Sequence, residues 1–149
     1  MLTTTLTLQK DNFSISTDTA KLDIASIHQF LSTKAYWSLN IPKEKVAQSI
    51  QNSLCFGVYD NGKQIGFARI ISDYTTIAYL GDVYIFEAYR GKGLSKWLME
   101  TIMTHPNLKG LRRWILLTGD AHELYRKFGW SEISDPSKWM EIHNKNCYE

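Results

Sequence analysis

The chain has 149 residues, of which 44% are hydrophobic and 21% charged, a balance that fits one folded domain and excludes whole-chain disorder. Seventeen Lys and Arg against fifteen Asp and Glu leave a net charge of +2, which gives no compositional push toward nucleic acid. No apolar run approaches the roughly 20 residues of a membrane span, and residues 1–8 do not have the pattern of a secretory leader. The two cysteines, Cys55 and Cys147, are expected to be reduced thiols of a cytoplasmic protein, with Cys55 in the core. No His, Cys or carboxylate cluster has metal-ligand spacing, so no metal is expected.

Residues 1–11 are Thr-rich and polar and are expected to be loose. Phe13-Ser14-Ile15-Ser16 alternates with period two and predicts a short strand. Asp23 suits the cap of a helix with Ile24, Ile27, Phe30 and Leu31 on its apolar face. Pro42 suits the first position of a second helix carrying Val46 and Ile50. Residues 54–59 and 63–72 are β-prone and flank Asp60-Asn61-Gly62, where Asn-Gly signals a tight hairpin because both residues tolerate positive φ. A third run, 76–86, follows through Asp73-Tyr74-Thr75 and completes an antiparallel meander. Alternation in these strands is weak, so both faces of the sheet are expected to be covered.

From Leu94 the period becomes helical, with Leu94, Trp97, Leu98 and Ile102 on one face and Pro106 as the stop. Residues 113–118 predict a compact strand. Ala121, Leu124, Tyr125 and Phe128 form a further helical stripe closed by Gly129, and Trp139-Met140-Glu141-Ile142 predicts a last strand. His28, His105 and His143 read as surface or helix-edge residues. The order predicts a mixed α/β (α+β) fold of one domain, 1–149. An antiparallel meander is followed by a βαβ unit with a parallel strand pair, and helices lie on both faces.

The segment 83–95, running from Val83 to Ser95, carries the chemistry. A strand enters a short loop with Gly91 and Gly93, and the loop opens a helix at Leu94. Such a turn aims unpaired backbone N–H groups at one spot, backed by the positive end of the helix dipole. Glycine lets the backbone approach a phosphate with no Cβ in the way. Arg90, Lys92 and Lys96 add positive charge. The segment is neither a Walker loop nor a dinucleotide fingerprint.

Arg90-Gly91-Lys92-Gly93-Leu94-Ser95 resembles the pyrophosphate loop of the GNAT superfamily of N-acetyltransferases. Leu124-Tyr125-Arg126-Lys127-Phe128-Gly129-Trp130 resembles that family's Leu-Tyr-x-x-x-Gly-Phe segment. The element order agrees over residues 13–142. Ser95 stands where the family prefers Gly or Ala, Glu87 where Pro is common, and Thr118 where an Asn often contacts the cofactor arm.

The resemblance implies acetyl-CoA as co-substrate, with direct transfer of acetyl to an amine acceptor, a small-molecule or amino-acid-like amine. A non-catalytic acyl-CoA-binding sensor of the same fold is the alternative. The cofactor would lie against Val83, Tyr84 and Ile85, the loop Arg90, Gly91, Lys92, Gly93, Leu94 and Ser95, and Thr118. Tyr125 would give the leaving thiolate its proton, since a phenol with pKa near 10 is roughly matched to a thiol, although it also lies on the core stripe. Asp82 is the leading candidate base, with Asp73 and then Glu87 behind it. Tyr36 and Trp37, with Asp73, Tyr74 and Tyr79, are candidates for the acceptor wall, and Arg69 for an acidic acceptor. No nucleic acid and no membrane is expected as a partner, and the resemblance allows a homodimer.

Overall fold

A computed structural model describes residues 5–149. Its centre is a mixed sheet of six strands in the order β1-β2-β3-β4-β5-β6. These are β1 (Thr7–Lys10), β2 (Phe13–Ser16), β3 (Leu54–Asp60), β4 (Lys63–Ser72), β5 (Ile77–Ile85) and β6 (Arg113–Leu116). All neighbours are antiparallel except β5 and β6, which pair in parallel from Ile77↔Arg113 to Leu80↔Leu116. The helices are α1 (Ile24–Thr33), α2 (Lys43–Gln51), α3 (Leu94–Met103) and α4 (His122–Arg126). No helix among the described residues is long and apolar enough to cross a membrane.

Local sequence signals account for most boundaries. Asp23 caps α1, its Oδ1 accepting from the Ser26 N–H at 3.0 Å. Pro42 stands one position outside the place expected for it, as the cap of α2. Asn61 (φ 47°) and Gly62 (φ 86°) both take positive φ in the β3–β4 hairpin, as a two-residue turn matched to strand twist requires.

The sheet is covered on both sides. Leu94, Leu98, Met99 and Ile102 of α3 pack with Leu54, Phe56, Ile70, Ala78 and Leu80. On the opposite face Ile27 and Leu31 of α1 and Val46 and Ile50 of α2 pack with Cys55, Phe67 and Tyr84. β3 is therefore buried from Leu54 to Tyr59, which is why its sequence hardly alternates.

Four expectations fail, each for a physical reason. Of residues 1–11, expected to be loose, 1–4 lie outside the described residues, and 7–10 form β1, an edge strand exposed on both faces that leaves no apolar pattern to read. Residues 139–142 are not a strand. A single 3-10 turn, Pro136–Lys138, precedes them, and Met140 and Ile142 stand fully exposed with no strand edge paired to them. His105 is fully buried; its Nδ1 accepts from the Asn107 N–H at 3.1 Å, and its ring lies edge-on to Phe56. The last helix is only five residues, because the chain turns at Lys127 and reverses at Gly129 (φ 90°).

Tyr59 is 3% exposed, and its hydroxyl has no hydrogen-bond partner among the described residues. Burial, with smaller contributions from the Asp18 and Cys55 charges, pushes its pKa from 10.0 up to about 12. Above pH 10 the unfolded chain ionises this phenol while the folded chain does not. Its contribution to stability is complete below pH 10 and is lost as pH rises toward 12. Thermal melts from pH 9 to 12 should show a falling Tm, and Tyr59→Phe should flatten that fall by an amount of order 2 kcal/mol.

Candidate active site

The site begins at a defect in β5. Phe67 pairs with Tyr84 but Arg69 with Gly81, so β5 carries one extra residue at this point. The extra residue involves Asp82, held at φ 54°. Upstream of it Ala78 and Leu80 point to the α3 core; downstream Val83 and Ile85 do. The bulge thus resets the alternation and keeps Asp82 out of that core. It also coincides with the end of strand pairing: β6 leaves β5 after Leu80↔Leu116, so among the described residues β5 from Gly81 to Ile85 has no strand neighbour on that edge. Alternation from Phe86, whose N–H donates to the Ile65 carbonyl, turns the backbone groups of Val83 and Ile85 to the resulting gap, while Tyr84 pairs with Phe67 and its ring is core, stacked on Phe30 at 3.8 Å.

Beyond β5 a single 3-10 turn, Glu87–Tyr89, leads to the glycine loop. Tyr89 Oη donates to Asp60 Oδ2 at 2.8 Å, and Asn12 Nδ2 donates to Asp60 Oδ1 at 2.6 Å. These two bonds, Asn12 first, hold the Asp60 carboxyl below its usual range and moor the loop to the β3–β4 turn. Arg90 Nε donates to the Ile85 carbonyl at 3.2 Å. Gly91 and Gly93 take φ of 80° and 79°, and a Cβ at either would meet nothing within 4 Å. Gly93 caps α3 without a side-chain bond to the first-turn N–H groups, and exposed Lys92 and Lys96 flank them. Leu94 is buried and offers only its backbone, while Ser95 is half-buried in the first turn.

On the other lip of the gap, Thr118 Oγ1 accepts from the Ala121 N–H at 3.0 Å and organises the approach to α4. Tyr125 follows on α4 and is 8% exposed. Burial chiefly, then the Asp120 and Tyr36 charges, push its pKa to about 12, so at neutral pH the phenol keeps its proton. A cavity of about 360 Å³ opens between β6, α4 and the chain after Trp130, lined by Trp114, Leu116, Thr118, Tyr125, Trp130 and Ile133 among others.

The two lips are joined by one short segment. Tyr36 Oη accepts from the Gly119 N–H at 3.0 Å, and Trp37 Nε1 donates to Asp82 Oδ1 at 2.8 Å. Asp82 Oδ2 accepts from Arg69 Nε at 2.8 Å, and Arg69 Nη1 donates to Ser53 Oγ at 3.1 Å. Tyr36, Trp37, Asp82, Thr118 and Tyr125 are thereby brought together. Asp73 is not among them. It lies at the opposite end of β5, where its carboxylate accepts from the backbone N–H groups of Thr76, Thr75 and Ile77 and from the Thr76 hydroxyl, bonds that hold its carboxyl far below the usual range. Ser53 and Tyr148 escape sequence reasoning. Tyr148 packs with the α1–α2 core from the far end of the chain, and no local pattern announces a contact of that range.

The acetyltransferase (GNAT) family profile matches residues 24–130. The chain belongs to the GNAT acetyltransferase family. A GNAT-family crystal structure from Xanthomonas campestris, itself assigned as an acetyltransferase, is 45% identical, with a TM-score of 0.90 over 94% of this chain and 99% of that one. A Gibberella zeae protein assigned as acetyltransferase FG08082 is 29% identical, covering 79% of this chain and 78% of that one. A GNAT acetyltransferase from Elizabethkingia anophelis with acetyl-CoA bound shares the fold, with a TM-score of 0.59 at 19% identity over 80% of this chain and 76% of that one. The GNAT fold that the resemblance implies is thus present, with its meander and parallel pair.

The positive φ at Gly93 carries a cost for any side chain. Since open space surrounds the position, Gly93→Ala should lower stability by about 1 kcal/mol through backbone strain alone, as read from a urea midpoint shift without a change in slope.

Proposed function

We propose that this GNAT acetyltransferase moves acetyl from acetyl-CoA directly to the nitrogen of a small-molecule, amino-acid-like amine in the cytoplasm. The observation that carries the reading is the glycine loop at the N-terminus of α3, set at the end of a bulged strand whose far edge is free. The residues fit the co-substrate. Backbone N–H groups from Gly91 to Ser95, without a Cβ in the way at Gly91 and Gly93, suit a diphosphate, and Arg90, Lys92 and Lys96 suit its charge. The β5 segment at Val83, Tyr84 and Ile85, paired with β4 but free on its β6 side, suits the amide-bearing arm and offers N–H donors to the thioester oxygen. Thr118 faces the same gap from the other lip. No metal is called upon.

The acceptor ammonium gives one proton to Asp82, directly or through water. Its freed lone pair forms the C–N bond at the thioester carbon. The C–S bond then breaks with its electron pair on sulfur, and Tyr125 protonates that sulfur. The second nitrogen proton leaves to solvent, from which Tyr125 recovers its own. Net, an ammonium and a thioester become an amide, a thiol and one proton. Trp37 and Arg69 fix the Asp82 carboxylate, and each of its oxygens keeps acceptor capacity for the amine.

The exposed C-terminal residues Met140 and Ile142 suit burial against a second copy, and a homodimer is the proposed assembly. Sedimentation equilibrium should return twice the chain mass.

Titration with acetyl-CoA should release heat and raise Tm, and a thiol-release assay across an amine library should identify acceptors. Cofactor binding without release for any amine would favour the sensor instead. Tyr125→Phe should lower kcat by about 10²–10⁴ while the acetyl-CoA Kd stays within a few fold. An unchanged kcat would remove the proton-donor role.

A further inference from the structure

The Arg69–Asp82 pair has more hydrogen-bonding capacity than the fold uses. Two of the five guanidinium N–H donors are committed, to Asp82 and Ser53. Two of about four carboxylate acceptor sites are committed, to Trp37 and Arg69. Neither side chain is sealed: 17% of Arg69 and 11% of Asp82 remain open. A clamp serving only the bulge would need neither the opening nor the spare donors.

The surroundings suit a small ligand with both charges. Arg69 and Asp82 lie on the α1–α2 face of the sheet, beside Tyr79 of β5 and Tyr148 of the C-terminal segment. The charges of both groups act on both phenols, after burial at Tyr79 and after burial and Cys147 at Tyr148. Trp37, bonded to Asp82, supplies a third aromatic wall, and aromatic faces attract an ammonium. Lys45 stands 5.9 Å from the centre of the Tyr148 ring and adds positive charge on that side. Ile71 and Ile77, partly exposed, extend an apolar floor away from the pair.

The pair presents adjacent opposite charges with no net charge. A polycation would meet Arg69, and a plain anion would meet Asp82. A molecule with the reversed pattern satisfies both at once. We propose that the acceptor is a zwitterion, an α-amino acid or close analogue, whose ammonium meets Asp82 and whose carboxylate meets the spare nitrogens of Arg69. This rests on the amine-acetylation reading and narrows its acceptor. It also puts the reacting nitrogen on the carboxylate that takes its proton, beside the gap where β5 leaves β6.

The full chain is assayed for CoA thiol release with each common α-amino acid beside its carboxamide and its decarboxylated amine, with rates expressed per free amine. The expected result is a preference of about tenfold or more for an amino acid over both of its partners, abolished in Arg69→Gln. Equal or faster turnover of the amide or amine, or a preference untouched by Arg69→Gln, overturns the proposal. Arg69→Gln leaves Asp82 without its cationic partner, held by Trp37 alone; should circular dichroism show it unfolded, the wild-type preference decides alone. If no amine releases thiol, amine acetylation itself fails. Thermal shifts of the acetyl-CoA-loaded chain with the same compounds then judge the zwitterion site. Stabilisation by an amino acid and not by its amide upholds it; no difference overturns it.

Discussion

One inserted residue in β5 sets the terms for everything around it. With regular alternation, Asp82 would follow Ala78 and Leu80 into the α3 core, where a lone carboxylate would be costly. The insertion turns it to the opposite face, to Arg69 and Trp37, and returns Val83 and Ile85 to the core. The strand bends where its parallel neighbour departs, and an unpaired edge is left beside the glycine loop. Positive φ at a non-glycine residue costs roughly 1–2 kcal/mol, and the two side-chain bonds to Asp82 offset it.

Three aspartates illustrate how surroundings decide the use of one side chain. Asp60 is half-buried and moors Tyr89, and so the start of the glycine loop, to the hairpin. Asp73 is consumed by backbone N–H groups of its own turn. Asp82 alone combines a cationic partner, an aromatic donor and a place beside the gap. From sequence, Asp82 ranks ahead of Asp73 as a base, yet both stand as candidates for the site. The difference is which end of β5 each occupies.

Features written in adjacent residues were legible in the chain. Asn61-Gly62 announced its turn, Asp23 its cap, and Gly91 with Gly93 a loop whose backbone takes the conformation only glycine enters freely. The meander, the parallel pair and the Tyr125 helix followed from periodicity. Long-range facts were illegible. β1 exists because β2 offers it an edge, although Thr7–Lys10 carries no buried face. His105 is buried because the turn after α3 folds under Phe56. Residues 139–142 have the apolar spacing of a strand but no edge to join. The Arg69 contact with Asp82 joins residues on neighbouring strands and depends on a one-residue shift that no local pattern reveals.

The stitch made by Tyr36 and Trp37 has a thermodynamic consequence. One aromatic holds the lip at Gly119 and the next holds the lip at Asp82, so the cleft is ordered before any ligand arrives. Little rotamer freedom is left to lose on association, which favours slow dissociation as the source of affinity. Loosening either stitch should therefore shorten residence times more than it slows encounter.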